Sequence, residues 1–172
     1  MDIRKQKTRQ AIQNAFLQLR KEKNLEQISV TELSRLAQIS KATFYLHYRD
    51  VFDLSEKLQN EVIGRILDRI GIVSSVQDNW SEFMKRMMTA IEEDNSLIVV
   101  LFSGSQLTMY PLLLEDQLRE RIRKESPELK EDTELSIRLT YHIQGGYHAY
   151  LRHAKHTDLQ HVLDVIGEIY SR

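Results

Sequence analysis

Apolar side chains recur every three or four residues along almost the whole chain, and this spacing most constrains what it can fold into. The first helix, expected over about Ile3 to Lys23, carries such side chains on one face, namely Ile12, Ala15, Phe16 and Leu19. The 172 residues include only six Gly and two Pro, and sheets need many turns that these residues favour. The sequence therefore predicts an all-α protein of about nine helices without strands.

Charge is unevenly divided along the chain, although the formal net charge is only −1. Residues 1–50 carry ten Lys and Arg against five Asp and Glu, whereas residues 51–172 carry fourteen against twenty. A basic first third indicates contact with a polyanion at that end. The N-terminus is polar, unlike a signal peptide, and no apolar run approaches the ~20 residues of a membrane span. We therefore expect a cytoplasmic protein that does not cross a membrane.

Two short helices follow the first, separated by a tight turn at Gln38 and Ile39. Ser29 or Thr31 can cap the earlier one, and Ser40 can cap the later one, which we expect to run through Tyr48. Such a pair, with no acid in the second helix, is typical of a helix-turn-helix, whose second helix enters the major groove of DNA. Its apolar residues can form a small core with the first helix: Leu33, Leu36, Ala37, Ile39 and Phe44.

The outer surface of the later short helix is the part that would face DNA. The ammonium group of Lys41 favours guanine, the methyl group of Thr43 favours thymine, and helix N-terminal amides bind phosphate. No acid lies between Arg35 and Arg49. The candidate DNA contacts are Thr31, Ser40, Lys41, Ala42, Thr43, Tyr45, His47, Tyr48 and Arg49. Plainer roles stay open, because Tyr45 could cover the small core, and Lys41 and His47 could be ordinary surface residues.

Three stretches resemble the N-terminal domain of the TetR family of regulators: Thr8-Arg9-Gln10-Ala11-Ile12, Ile28-Ser29-Val30-Thr31-Glu32-Leu33 and Ile39-Ser40-Lys41-Ala42-Thr43-Phe44-Tyr45-Leu46-His47-Tyr48. The resemblance implies a DNA-binding domain at residues 1–50 and a dimerisation and ligand-binding domain at residues 51–172. It also implies a homodimer on a palindromic operator, in which Thr43, Tyr45 and His47 touch base edges or phosphates.

The chain departs from the family pattern at two positions. The turn usually has Gly where this sequence has Gln38, so Gln38 would need either a less favourable backbone conformation or a slightly different turn. The family often has a phosphate-binding Lys at the start of the fourth helix, where Val51 stands. Arg49 could take over that role, or the grip on phosphate could be weaker.

Helical spacing continues in the C-terminal part, with a long helix expected from Ser126-Pro127-Glu128 to about His153 and a last helix capped by Thr157 or Asp158. The resemblance implies that these two helices pair with their copies in a second subunit, through Leu135, Leu139, Ile143, Gly146, Tyr150, Leu159, Leu163 and Ile166. An apolar ligand could be enclosed by adaptable Met and aromatic side chains, although each could equally be an ordinary core residue. These candidates are Trp80, Phe83, Met87, Phe102, Met109, Tyr110, Tyr141 and Tyr147.

The function we expect is a sequence-specific transcription regulator, a homodimeric repressor released by a small ligand. The alternative is a co-activator or anti-repressor of the same fold that binds another protein. We expect no enzyme, because the nucleophile elbow, the Gly-rich phosphate loop and the HExxH pattern are all missing. We expect no metal or other cofactor, because the chain has no Cys and its C-terminal histidines lack a carboxylate pattern.

Overall fold

The computed structural model describes residues 3–71, 80–127, 132–153 and 158–169, which form nine α-helices and no strand. The helices are α1 (Ile3–Glu22), α2 (Val30–Leu36), α3 (Lys41–Tyr45), α4 (Val51–Ile70), α5 (Trp80–Glu93), α6 (Asn95–Leu101), α7 (Met109–Glu125), α8 (Thr133–His153) and α9 (Leu159–Ile169). Short 3-10 turns lie at Leu25–Gln27 and Gly104–Gln106. The predicted all-α fold is confirmed. Within the described ranges no helix is both long and apolar enough to cross a membrane.

The chain divides into two compact units, and the division falls inside α4. The first unit is Met1–Glu61 with Ser96–Thr108, and the second is Val62–Asn95 with Met109–Arg172. The first unit thus receives most of α6 and the turn after it from the middle of the chain. The functional boundary expected after residue 50 stays a prediction.

The first unit is built on a small core that fixes α3. Helix α1 packs against α2, and α2 packs against α3. The side chains at the centre are completely buried, as their helical spacing predicted: Ile12, Phe16, Leu33 and Phe44. Because Phe44 points into this core, the opposite side of α3 faces outward.

Serine caps start both short helices. Ser29, rather than Thr31, caps α2, since its Oγ accepts the backbone N–H of Glu32 at 3.2 Å. Ser40 caps α3 by accepting the backbone N–H of Thr43 at 3.0 Å. Helix α3 ends at Tyr45, earlier than the expected Tyr48. Beyond Tyr45 the chain makes one tightened turn, in which the carbonyl of Phe44 accepts the N–H of His47 at 2.9 Å and that of Tyr48 at 3.0 Å.

In the second unit α7 packs against α8, and α9 packs against α8 and α5. Helix α8 begins at Thr133, not near Ser126 as expected. Asp132 caps it, since its Oδ1 accepts the backbone N–H of Leu135 at 3.0 Å. Ser126 instead follows α7 directly, its N–H bonding the carbonyl of Ile122 at 2.8 Å, whereas residues 128–131 lie outside the described ranges.

Candidate nucleic-acid interface

The turn between α2 and α3 is a helix C-cap with a residue other than Gly in the left-handed region. Gln38 has φ 55°, the conformation that Gly adopts without strain. Two hydrogen bonds define the cap: Gln38 N–H to the carbonyl of Arg35 at 3.2 Å, and Ile39 N–H to the carbonyl of Ser34 at 3.0 Å. Of the two alternatives that the sequence left open for this turn, the structure has the less favourable backbone conformation at Gln38.

Helix α3 exposes most of the predicted DNA contacts. Lys41 and Ala42 are exposed, and Tyr45 is 56% exposed. Thr43 and His47 are half-buried, and the guanidinium-bearing side chain of Arg49 is 80% exposed. Thr31 and Ser40 are also exposed, although the hydroxyl of Ser40 is already engaged as the cap. We call these side chains, together with the first amides of α3, the α3 surface. The sequence between Arg35 and Arg49 has no acid, although the guanidinium group of Arg49 is itself paired with the carboxylate of Asp53.

Tyr48 is the exception among the predicted contacts, because it is buried, with only 4% exposed. Its ring lies 5.8 Å from the ring of Phe44, and the ammonium group of Lys57 lies 5.2 Å from its centroid. Tyr48 therefore belongs to the core that supports α3 rather than to the DNA-facing side. The sequence alone does not distinguish an aromatic residue that is buried at the end of a short helix from one that contacts DNA there.

The start of α4 is held by a buried carboxylate. Asp50 caps α4, since its Oδ1 accepts the backbone N–H of Asp53 at 2.8 Å. Asp53 is buried and accepts from Lys57 Nζ at 2.9 Å and from the backbone N–H of Arg49 at 3.0 Å. The bond from Lys57, with those from Arg49, lowers the pKa of Asp53 against the opposing effect of burial. Val51 is buried, so its side chain cannot replace the missing phosphate-binding Lys.

Two basic residues of α1 lie close to the α3 surface. Partial burial lowers the pKa of His47, and the charges of Lys5 and Arg9 lower it further. Arg9 is also paired with Glu61, which joins α1 to α4. We did not single out these residues from the sequence, although the acid-free run from Arg4 to Arg9 was a usable signal. We also did not single out Leu46 from the sequence. At 81% exposure it is the most exposed large apolar side chain of the described residues.

The residues predicted for a ligand pocket are only partly brought together. Phe83, Met87 and Tyr110 are buried in the second unit, and the rings of Tyr110 and Tyr147 lie 5.2 Å apart. Burial raises the pKa of Tyr147 to about 12. Three others lie elsewhere: Met109 and Tyr141 are 44% and 68% exposed, and Phe102 is buried in the first unit. The side chain of Trp80 is outside the described residues.

The residues predicted for a dimer interface are largely enclosed within one chain. Leu135, Leu139, Ile143 and Gly146 are buried in the second unit, and Tyr150 is half-buried. The side chains of Leu159, Leu163 and Ile166 are outside the described residues. Among the described side chains of α8 and α9, the exposed large apolar ones are instead Ile137, Tyr141, Val165 and Ile169. The apolar stripe we selected in α8 is therefore the inward face, which packs in the chain's own core.

A polar cluster also fixes α8 onto α7. Glu115 is buried and accepts from Arg119 Nη2 at 2.7 Å, Thr140 Oγ1 at 2.6 Å and Gln144 Nε2 at 3.1 Å. Burial acts to raise the pKa of Glu115, but these bonds together with the charge of Arg119 outweigh it and lower the pKa below its ordinary value. Because Thr140 and Gln144 lie one turn apart on α8, the rotation of that helix about its own axis is set within the chain.

Comparisons with known proteins bear on the all-helical fold and on the helix-turn-helix. No family model matches the chain. An uncharacterized HTH-type transcriptional regulator of Bacillus subtilis (strain 168), YxbF, is 34% identical over 76 residues, which is 44% of this chain. The chain spans only about a fifth of the length of that relative, 20%. A crystal structure assigned to a TetR family transcription regulator from Shewanella sp. PV-4 superposes with a TM-score of 0.58 over 95% of each chain, at 12% identity. The chain therefore has the fold of the TetR family of transcription regulators, with its helix-turn-helix near the N-terminus.

Proposed function

We propose that this protein is a cytoplasmic, sequence-specific transcription repressor that binds a palindromic DNA operator through the α3 surface. The observation that carries the proposal is the outward face of α3, where Lys41 and Tyr45 are exposed beside a capped helix start and no acid lies between Arg35 and Arg49. Exposed hydroxyl, ammonium and amide donors without acids match the phosphate and base edges of a major groove. Arg49 supplies the exposed cation that Val51 does not.

A homodimer is the second part of the proposal, and it rests on the outer face of α8 and α9. Ile137, Tyr141, Val165 and Ile169 are between 42% and 68% exposed. Gly145 is exposed on α8. Apart from its chain neighbours and the backbone of its own helix, no atom of the described residues lies within 4 Å of where its Cβ would stand. A mid-helix Gly costs roughly 1 kcal/mol relative to Ala, and no described side chain occupies the space that Gly145 leaves. A second copy packed against this face would use that space and would pair two α3 surfaces for a two-fold symmetric site.

Release by a small molecule is the third part of the proposal. Three buried side chains of the second unit and the half-buried Tyr147 are the group that supports an apolar or aromatic effector; the buried three are Phe83, Met87 and Tyr110. We expect such a ligand to raise the midpoint of thermal unfolding and to weaken operator binding in the same titration.

The test is selection of bound fragments from random DNA, followed by measurement of the operator Kd as a function of salt. Each lost phosphate contact should reduce the slope of log K against log salt by about 0.9. Lys41→Gln should weaken operator binding and alter either this slope or the preferred sequence. Lys21→Gln is the matched control, because Lys21 lies in the last turn of α1 and outside the α3 surface. It should change neither the operator Kd nor the preferred sequence.

The alternative, a protein-binding co-activator or anti-repressor, predicts a different result. It requires that the protein bind DNA weakly, without sequence preference and with little dependence on salt concentration. Recovery of no enriched DNA sequence by the intact protein would overturn the repressor proposal, whatever the result for Lys41→Gln.

A further inference from the structure

The side of α3 that points away from the core has an apolar centre. Successive residues of an α-helix are turned by about 100° around its axis, so the residues two before and two after Phe44 each lie about 160° from it. These residues are Ala42 and Leu46, whereas Phe44 itself is completely buried. Ala42 and Leu46, which we call the apolar line of α3, therefore face directly away from the core of the first unit.

Leu46 keeps the helical position that this geometry requires, although α3 formally ends at Tyr45. Its backbone has φ −71° and ψ −18°, and its N–H donates to the carbonyl of Ala42 at 3.2 Å. The two residues of the apolar line thus stand one turn apart, about 6 Å along the helix axis. Ala42 is exposed and Leu46 is 81% exposed, so the fold of the first unit makes little use of either side chain.

Polar side chains lie on both sides of the apolar line. The helical positions place Lys41 and Tyr45 on one side and Thr43 and His47 on the other. The hydroxyl of Thr43 is 2.8 Å from that of Ser40, and one donates to the other. Donors for phosphates and base edges therefore flank the α3 surface, while its centre presents only methyl and methylene groups.

The floor of the major groove offers few groups that suit such a centre. Base edges there carry hydrogen-bond donors and acceptors, and the exception is the C5 methyl group of thymine. A donor or acceptor covered by Leu46 would lose its water without gaining a partner, which is unfavourable. An exposed Leu by itself is common on protein surfaces. At Leu46, however, the exposed side chain stands at the middle of the surface that would enter the groove.

We propose that Leu46 is a specificity-determining residue that contacts the C5 methyl group of a thymine in each half of the operator. Ala42, whose side chain is a single methyl group, lets the base edges approach the helix closely beside this contact. The inference rests on the proposed function, since it assigns a base to the operator that the α3 surface binds. Removal of the thymine methyl group should weaken operator binding about fourfold for each half-site.

The test uses the intact protein and the operator obtained by selection from random DNA. Each thymine is replaced in turn by deoxyuridine, which lacks the methyl group but keeps all hydrogen-bonding groups of the base. Wild-type protein should lose about fourfold in affinity for each half-site at one such position. Leu46→Ala should bind the thymine operator more weakly by a similar factor and should bind the two operators equally at that position, which closes a double-mutant cycle.

Val99→Ala is the matched control, because Val99 is an exposed apolar residue of α6 and lies outside the α3 surface. It should keep both the wild-type Kd and the full effect of deoxyuridine. Circular dichroism and thermal unfolding establish that Leu46→Ala is folded. The deoxyuridine series on wild-type protein needs no variant at all, so it decides independently of any effect on folding.

An operator that wild-type protein binds equally well with deoxyuridine at every thymine would overturn the inference and leave the proposed function standing. The same result is expected if Leu46 instead contacts a partner protein or the sugar–phosphate backbone. A Leu46→Ala variant that retains the deoxyuridine effect at every position would also overturn the assignment to Leu46. Failure of selection to enrich any sequence is a separate outcome, which overturns the proposed function and this inference with it.

Discussion

The carboxylate of Asp53 accepts two hydrogen bonds from Arg49, one from its backbone N–H at 3.0 Å and one from its side-chain Nε at 3.1 Å. These two bonds fix the chain where it passes from α3 into α4. The guanidinium group of Arg49 is therefore held in a defined position. An arginine that must contact phosphate benefits from such positioning, because less side-chain entropy is lost on binding.

Asp53→Asn should lower the free energy of unfolding by about 1–2 kcal/mol, since it removes charge-assisted bonds to a buried group. The pKa of Asp53 is lowered from its ordinary 3.8, so its contribution is present above that value and is lost as pH falls through the lower folded-state pKa. The difference between variant and wild type in urea unfolding should therefore persist at pH 5 and shrink only in stronger acid. A variant as stable as wild type at pH 7 would contradict the assigned role.

Gln38→Gly should raise the free energy of unfolding by up to about 1 kcal/mol, because Gly adopts φ 55° without strain. Part of the gain is cancelled by the greater freedom of Gly in the unfolded chain. Gln38→Val should be destabilising, since a branched Cβ is least tolerated there. Thermal unfolding of both variants gives the measurement, and the prediction fails if Gly and Val shift the midpoint in the same direction.

His47 should give a pH dependence of opposite sign for folding and for DNA binding. Its pKa in the free protein is lowered from 6.5 by partial burial and by Lys5 and Arg9, so the unfolded chain binds more protons and stability falls as pH drops below 6.5. A DNA phosphate nearby would raise the pKa of His47, so operator affinity should increase in acid, by at most about tenfold per pH unit.

The matched variants for this prediction are His47→Gln and His148→Gln. His47→Gln should remove the pH dependence of the operator Kd between pH 5.5 and 7.5. His148→Gln, at an exposed residue of the second unit, should retain it. An unchanged pH profile in His47→Gln would exclude this histidine from the DNA interface.

Ile137→Lys and Gly145→Leu should dissociate the dimer while leaving a folded monomer, because both positions are exposed within the chain. Buried charge or bulk at a two-fold interface acts twice and should weaken association at least about tenfold. Sedimentation velocity with circular dichroism measures both properties. Val99→Lys, an exposed apolar position in the first unit, is the control and should stay dimeric. Dimers of unchanged stability in both variants would show that the outer face of α8 is not the interface.

Particular residues show how far the sequence could be interpreted without the structure. The helical spacing of Phe16, Leu33 and Phe44 predicted their burial, because each lies on an amphipathic helix with one polar face. The run from Leu97 to Phe102 had no polar face, so the sequence did not reveal that Val99 is exposed while Leu101 is buried. In α8 both faces carry apolar residues, and we selected the stripe of Leu139 and Ile143 that turns inward.

The sequence by itself determined the all-α class and the serine cap of α3, and it singled out the turn at Gln38, since these depend on residues within a few positions of one another. Only the tertiary structure decided that Tyr48 is buried, that Arg20 meets Ser103 and that α8 presents Ile137 to the outside. Those outcomes depend on which helix faces which, and helix packing is set by side chains far apart in the chain.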